Sequence, residues 1–306
     1  MTTLSTRPPV QKTAQRKPPA RVRRRRFGRR AVIYAMLAIG AVVFAFPFYW
    51  MISTSLKPTS DVLLFPPTWF PWPLQWVNYE HALAAFPFLR GLGNTLIILV
   101  AVEIGRLLTV PLAAYAFARL RFPLRNFLFI VVLCTMMLPY YVTLIPQYLI
   151  FRDLGWLNTF LPLTVPSFFG VGSAFFIFMM RQFYLSIPKE YDDAAMVDGC
   201  GRLRVFWHII LPQSKPALAA IAIFTFVEQW NDYFGPLIYL TDSSKYTLAL
   251  SFQAWQITSQ SGLGYKPHPF NEVMAVSTLI TLVPVLVFFL TQRYYLRGLT
   301  VSGIQG

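Results

Sequence analysis

The chain is poor in charge. Charged residues make up 13% of its 306 positions, against roughly 25% in ordinary soluble domains, which argues against a water-soluble protein. Acid is the scarcer sign, with 12 Asp or Glu against 27 Lys or Arg. Cysteine and histidine are scarce too, at two and three residues. Cys134 falls in an apolar block and Cys200 in a polar loop, so their different levels argue against a disulfide. His81, His208 and His268 are scattered, so no metal cluster is visible and no metal or other cofactor is expected. No Gly-x-x-x-x-Gly-Lys-[Ser/Thr] run occurs, which excludes ATP binding by a phosphate loop. A nucleophile elbow is missing as well.

What the chain does have is long apolar runs. Hydrophobic residues reach 56%, and a bilayer takes about 20 residues to cross as helix. Six blocks meet that length: 31–53, 92–118, 126–150, 157–180, 217–240 and 273–294. The second carries Glu103 and Arg106, and the fifth carries Glu228 and Asp232. Blocks three to five hold Pro139, Pro146, Pro162, Pro166 and Pro236, which membrane helices tolerate where neighbours satisfy the freed carbonyls. The expectation is an all-α integral membrane protein, a bundle of six transmembrane helices.

The net charge of +15 invites a nucleic-acid reading, but its distribution points elsewhere. Residues 1–30 contribute 11 Lys or Arg and no acid, directly before the first apolar block. With six spans the loops alternate sides, giving 21 basic residues on the side of that arm and five on the other. Such a bias marks the cytoplasmic side. It places both termini in the cytoplasm and makes anionic membrane lipid, not nucleic acid, the natural contact of the arm. The first block is too long for a signal-peptide core, and Phe46-Pro47-Phe48-Tyr49-Trp50 replaces the small residues of a cleavage site. The chain divides into a disordered basic arm (1–30), a transmembrane domain (31–297) and a cytoplasmic tail (298–306).

Residues 187–216 form a polar island. Glu190, Asp192 and Asp193 suit the positive end of a short helix, Ala194, Ala195 and Met196 continue it, and Gly199 with Gly201 ends it. A second short helix over 202–210 carries Val205, Phe206, Ile209 and Ile210, and Leu211-Pro212 with Pro216 stops it. The result is a helix-turn-helix outside the membrane, which either docks a partner or packs on its own bundle. Within the fifth block, Glu228, Trp230, Asn231, Asp232 and Tyr233 form a possible substrate cavity, because polar groups at membrane depth face a cavity or a partner. The alternative is that they bond across helices, or to backbone freed near Pro236. Glu103 and Arg106, three apart on one helical face, are placed to neutralise each other. The segment 241–272 reads as a covering loop.

The spacing Asp193-Ala194-Ala195, three residues, Gly199, and then Leu211-Pro212 resembles the coupling loop of bacterial ABC importer permeases. Ser55-Leu56-Lys57-Pro58, Asn78-Tyr79, Asn94-Thr95, Leu138-Pro139 and Trp230-Asn231-Asp232-Tyr233 resemble the carbohydrate branch, in particular its maltose-type second permease. Asp193 stands where that family usually has Glu, and Cys200 where Ala is common. The resemblance implies a type I ABC importer fold in the bacterial inner membrane, with no enzyme activity of its own. It implies as partners a second homologous permease, two ATP-binding subunits and an extracellular or periplasmic solute-binding protein. It assigns ATPase docking to Glu190, Asp193, Ala194, Ala195, Asp198, Gly199, Leu211 and Pro212, and a weaker ATPase contact to the tail. Two other readings of the chain are an ion-coupled secondary transporter using Glu103, Glu228 and Asp232, and a membrane enzyme acting on lipid-linked sugars.

Overall fold

The computed structural model describes residues 20–260 and 268–300, and all regular structure among them is helical. In hydrocarbon each backbone polar group needs a partner within its own segment, and the helix supplies it. The α-helices run in chain order as α1 (Ala20–Ser55), α2 (Val77–Ala85), α3 (Phe88–Arg119), α4 (Arg125–Thr135), α5 (Tyr140–Asp153), α6 (Leu161–Thr164) and α7 (Ala174–Ser186). They continue as α8 (Glu190–Val197), α9 (Arg202–Val205), α10 (Leu211–Gln213), α11 (Lys215–Asn231), α12 (Phe234–Tyr239), α13 (Leu248–Gln260) and α14 (Phe270–Thr300). Residues 20–30, assigned above to a disordered arm, are helical backbone at the start of α1; residues 1–19 and 301–306 lie outside the described part.

Four stretches are long and apolar enough to cross a membrane: Val32–Ser55, Phe88–Arg119, Leu161–Ser186 and Phe270–Gln292. Two bent pairs, α4 with α5 at 97° and Arg202–Gln213 with α11 at 73°, raise the number to six if each is one span. The third and fifth apolar blocks are therefore not the continuous helices that hydropathy suggests. At the first bend Pro139 sits in extended conformation (φ −61°, ψ 135°), and the chain turns there before α5. At the second interruption α11 ends at Asn231, Asp232 is extended, and helix resumes at Phe234. Pro236 has no N–H for the Asp232 carbonyl, so an uninterrupted helix would lose that bond and clash.

The central element is α3, which packs against α7, α11, α13 and a 3-10 turn at Val165–Phe169. A Cβ on Gly105 would overlap the Ser167 hydroxyl, so glycine is what lets that turn approach. α14 packs along α1 and α2. Two buried clusters result. One contains Val110, Ala114, Phe176, Met180, Tyr184, Ala195, Phe206 and Ile221; the other contains Ala82, Phe86, Trp230, Leu248, Trp255 and Val276. The Ser55-Leu56-Lys57-Pro58 run is explained by capping. Asn78 donates to the carbonyls of Ser55 and Lys57, Asn271 donates to that of Lys57, and so α2 and α14 satisfy carbonyls left open at the end of α1. The buried Lys57 ammonium bonds the Thr68 carbonyl and lies 4.3 Å from the Trp50 ring centroid.

Candidate functional sites

The polar island folds as a hairpin of α8 followed by a helical segment from Arg202 to Gln213. Glu190, Asp192 and Asp193 lie in the first turn of α8, where the helix dipole favours acid. Its other end is closed by two backbone bonds, Gly199 N–H to Met196 O (3.1 Å) and Cys200 N–H to Ala195 O (2.9 Å). Together with φ +82° at Gly199, these form a Schellman cap. The spacing from Ala195 to Gly199 is thus the spacing of the cap. Ala195 is buried, and the half-buried Cys200 packs against the same apolar cluster.

The hairpin is fastened to the end of α3. Asp192 Oδ2 lies 3.2 Å from Arg119 Nε, Arg119 donates to Ile187 O at 2.7 Å, and the Tyr115 hydroxyl donates to Arg202 O at 3.1 Å. Burial pushes the Asp192 carboxyl above the usual carboxylate range and Arg119 pulls it back. The second hairpin helix differs from the expected 202–210. Residues 206–210 form a π turn, and Leu211-Pro212 lies inside the helical path instead of stopping it. The wider turn ahead of Pro212 absorbs its missing N–H and its ring. The bend falls at Ser214, whose hydroxyl bonds Ile210 O at 2.6 Å, with Pro216 in the first turn of α11.

Of the residues assigned to docking, Glu190, Asp193, Ala194, Asp198, Gly199 and Pro212 are exposed and Leu211 is half-buried. Ala195 faces its own bundle. Tyr191, Met196, Val197, Leu203 and Trp207 add an exposed apolar surface, with Val197 87% exposed. Arg119 and Asp192, which hold the hairpin in place, had no signal in the sequence beyond their signs of charge, since their pairing spans distant segments.

The second site lies where helices are broken. Arg106, at the middle of α3, is buried, but its partner is Glu228 on α11 and not Glu103. Two bonds of 2.6 and 2.9 Å join them, and Thr225 accepts a third at 3.2 Å. The guanidinium carbon sits 4.9 Å from the Phe176 ring centroid. The expected pair within α3 fails because the fork geometry of arginine is met by a carboxylate across the helix interface. Glu103 Oε1 is buried and accepts no hydrogen bond.

Glu228 is half exposed on its other side, at 52%. Trp230 is buried and stacked on Phe226 at 5.6 Å, which makes it packing and not cavity lining. Asn231 is exposed, its amide bonding Val227 O of its own helix, and Asp232 Oδ1 accepts from Gly235 N–H across the break at 3.0 Å. Tyr233 is half-buried. Phe234, just past this break, meets Tyr140 and Tyr141, just past the other, at 6.0 and 5.5 Å between ring centroids. The two interruptions therefore adjoin, a neighbourhood that reading each block separately did not reveal. Among the described residues no group of His, Cys, Asp and Glu is arranged to hold a metal.

The architecture has known counterparts. A family model described as the binding-protein-dependent transport system inner membrane component matches residues 109–301. The chain belongs to that family. A sn-glycerol-3-phosphate transport system permease protein of Yersinia enterocolitica is 35% identical over 275 residues, 88% of this chain and 95% of the relative. A diacetylchitobiose uptake system permease protein of Streptomyces coelicolor is 32% identical, covering 90% and 96%. Among solved structures, a bacterial ABC transporter involved in the import of the acidic polysaccharide alginate has a chain that superposes with TM-score 0.75 at 25% identity, covering 89% of this chain and 97% of that one. The chain is accordingly a multi-pass transport permease of the ABC importer class, not an enzyme; ATP hydrolysis belongs to separate subunits.

Proposed function

We propose that this permease is one half of a heterodimeric channel for carbohydrate, paired with a second homologous permease, two ATP-binding subunits and an external solute-binding protein. The observation that carries the reading is the hairpin. It is polar where the flanking segments are apolar, is closed by its own cap, is bolted to α3, and still exposes a mixed acidic and apolar surface. In this reading Glu190, Asp193, Ala194, Asp198, Gly199 and Pro212 meet the ATPase with Tyr191, Met196, Val197, Leu203 and Trp207, while Ala195 and Leu211 anchor the surface from below. The basic arm sets both termini in the cytoplasm, on the hairpin's side.

Motion reaches the bundle along two routes. The segment from Arg202 to Gln213 leads through Ser214 into α11, and Asp192 ties α8 to α3. Both helices meet again at the Arg106–Glu228 bridge, beside the adjoining breaks. A push on the hairpin is thereby delivered to the broken layer through two packed helices. Broken helices at membrane depth are where transporters seat substrate. Tyr140 and Tyr141 supply rings for the apolar face of a sugar, and Glu228, Asn231 and Asp232 supply polar groups for its hydroxyls.

The test is co-purification in mild detergent followed by reconstitution. A stoichiometric ATPase and uptake that requires ATP and the binding protein are expected. Uptake abolished by an uncoupler but indifferent to ATP would replace this reading with the ion-coupled one.

A further inference from the structure

The named relatives handle a phosphate ester, an uncharged disaccharide and an acidic polysaccharide, so kinship leaves the charge of the cargo open. The broken layer narrows it. We infer that the half of the pathway built by this chain selects an uncharged carbohydrate and disfavours phosphate esters and acidic sugars; the inference rests on the proposed function above.

Charge balance and occupancy carry it. Within about one helical turn along the chain from either end of the Arg106–Glu228 bridge lie three carboxyl groups, Glu103, Glu228 and Asp232, and one base, Arg106. Of the other described Arg and Lys residues of the spanning helices, Arg90, Arg119, Arg125, Arg152, Arg181 and Lys215 lie within two turns of a helix end, and Arg30 precedes the apolar stretch Val32–Ser55 of α1. Arg106 is 4% exposed and already engaged. Both of its terminal nitrogens bond Glu228, one also meets Thr225, and Phe176 covers its face. Its Nε–H has no partner but is buried, so among the described residues near the bridge no exposed guanidinium remains for an incoming anion.

What remains accessible is the outer side of Glu228, the exposed Asn231, Asp232, and the rings of Tyr140 and Tyr141, 42% and 71% exposed. Carboxylate oxygens, such as those of Glu228 paired with Arg106, only accept hydrogen bonds. Sugar hydroxyls donate to them, whereas a phosphate dianion or a uronate offers only further acceptors of the same sign. An anion entering here would have to separate Arg106 from Glu228, leaving one buried charge unpaired.

The test uses the complete complex in proteoliposomes, with its ATPase and binding protein, supplied with radiolabelled uncharged mono- to trisaccharides, glycerol 3-phosphate and galacturonate. At least one uncharged sugar is expected to enter at least about tenfold faster than either anion, a difference of about 1.4 kcal/mol in barrier. Its uptake should resist millimolar inorganic phosphate. In Glu228→Gln, which loosens the hold on Arg106, the same phosphate should inhibit uptake. Entry of either anion at a comparable rate overturns the inference, as does phosphate inhibition of the unaltered protein. It also fails if phosphate leaves the Glu228→Gln uptake untouched. An intact complex that carries none of these solutes with ATP sinks the carbohydrate function itself, a result distinct from failure of the charge preference.

Discussion

The hairpin and the broken layer solve the same problem, polar groups that need partners, by opposite means. In the hairpin the partners are neighbours in sequence: the cap joins residues 195–200, and acids sit at the start of the helix they stabilise. In the broken layer the decisive bond joins Arg106 to Glu228, 122 positions apart, and the two breaks meet through Phe234 and Tyr140–Tyr141. A locally closed element can be altered without harming the bundle, whereas a bridge between central helices cannot.

The largest effect should come from breaking the bridge. Glu228→Leu strands a buried guanidinium, a loss of about 3 kcal/mol, the lower end for breaking a buried pair because Glu228 is half exposed. The thermal unfolding midpoint of the detergent-solubilised protein should fall clearly. Arg106→Met combined with Glu228→Leu should recover most of that loss, because an apolar pair leaves no orphan charge. If the double variant is no better than the single, the bridge is not where the stability resides.

The hairpin should show the reverse pattern. Gly199→Val forces a β-branched residue to φ +82°, at a cost of about 1–2 kcal/mol, confined to the cap. Insertion and global unfolding should change little, while association with the ATPase falls roughly tenfold for each 1.4 kcal/mol lost. Pull-down from membranes at graded expression reads this directly. A large drop in the unfolding midpoint would show instead that the cap belongs to the bundle's own stability.

This contrast also explains what the sequence made legible. The hairpin's start, its closure at Gly199 and the membrane-spanning class could all be read from contiguous residues, because caps and hydropathy are local signals. The Glu103–Arg106 pairing was misjudged for the same reason. Spacing within one helix was the only geometry in sight, and the better partner lay across an interface. Trp230 looked like a sugar-facing ring, yet burial against Phe226 makes it packing. Tyr140 and Tyr141, the exposed aromatics at the breaks, carried no pattern until the fold brought Phe234 beside them. Pro212 misled because a stop signal was assumed, while the π turn before it lets the helical path continue to Gln213.

An intermediate effect separates anchoring from docking inside the hairpin. Arg119→Met removes the bolt to Asp192 and leaves a carboxyl already raised by burial without its cation. The hairpin still caps itself, so ATPase binding should persist, but its motion then reaches α3 only through the Tyr115–Arg202 bond. The expected signature is ATP hydrolysis retained with uptake reduced several-fold, about 1 kcal/mol in coupling. Equal loss of both activities would mean that Arg119 only folds the hairpin.

The smallest effect should come from Tyr141→Ala, and it is the one that tests the broken layer as a binding surface. The ring is 71% exposed and touches Tyr140 and Phe234 by its edges, so its removal should barely move the unfolding midpoint. An aromatic contact contributes about 0.5 kcal/mol beyond buried area at the low end that suits so exposed a ring, so the apparent KM for a transported sugar should rise roughly twofold. Tyr141→Phe keeps the ring and loses only the hydroxyl, and should stay close to the parent. If the phenylalanine variant falls as far as the alanine one, the hydroxyl and not the ring meets the sugar. If neither changes KM, the adjoining breaks are a hinge, and the cargo passes elsewhere.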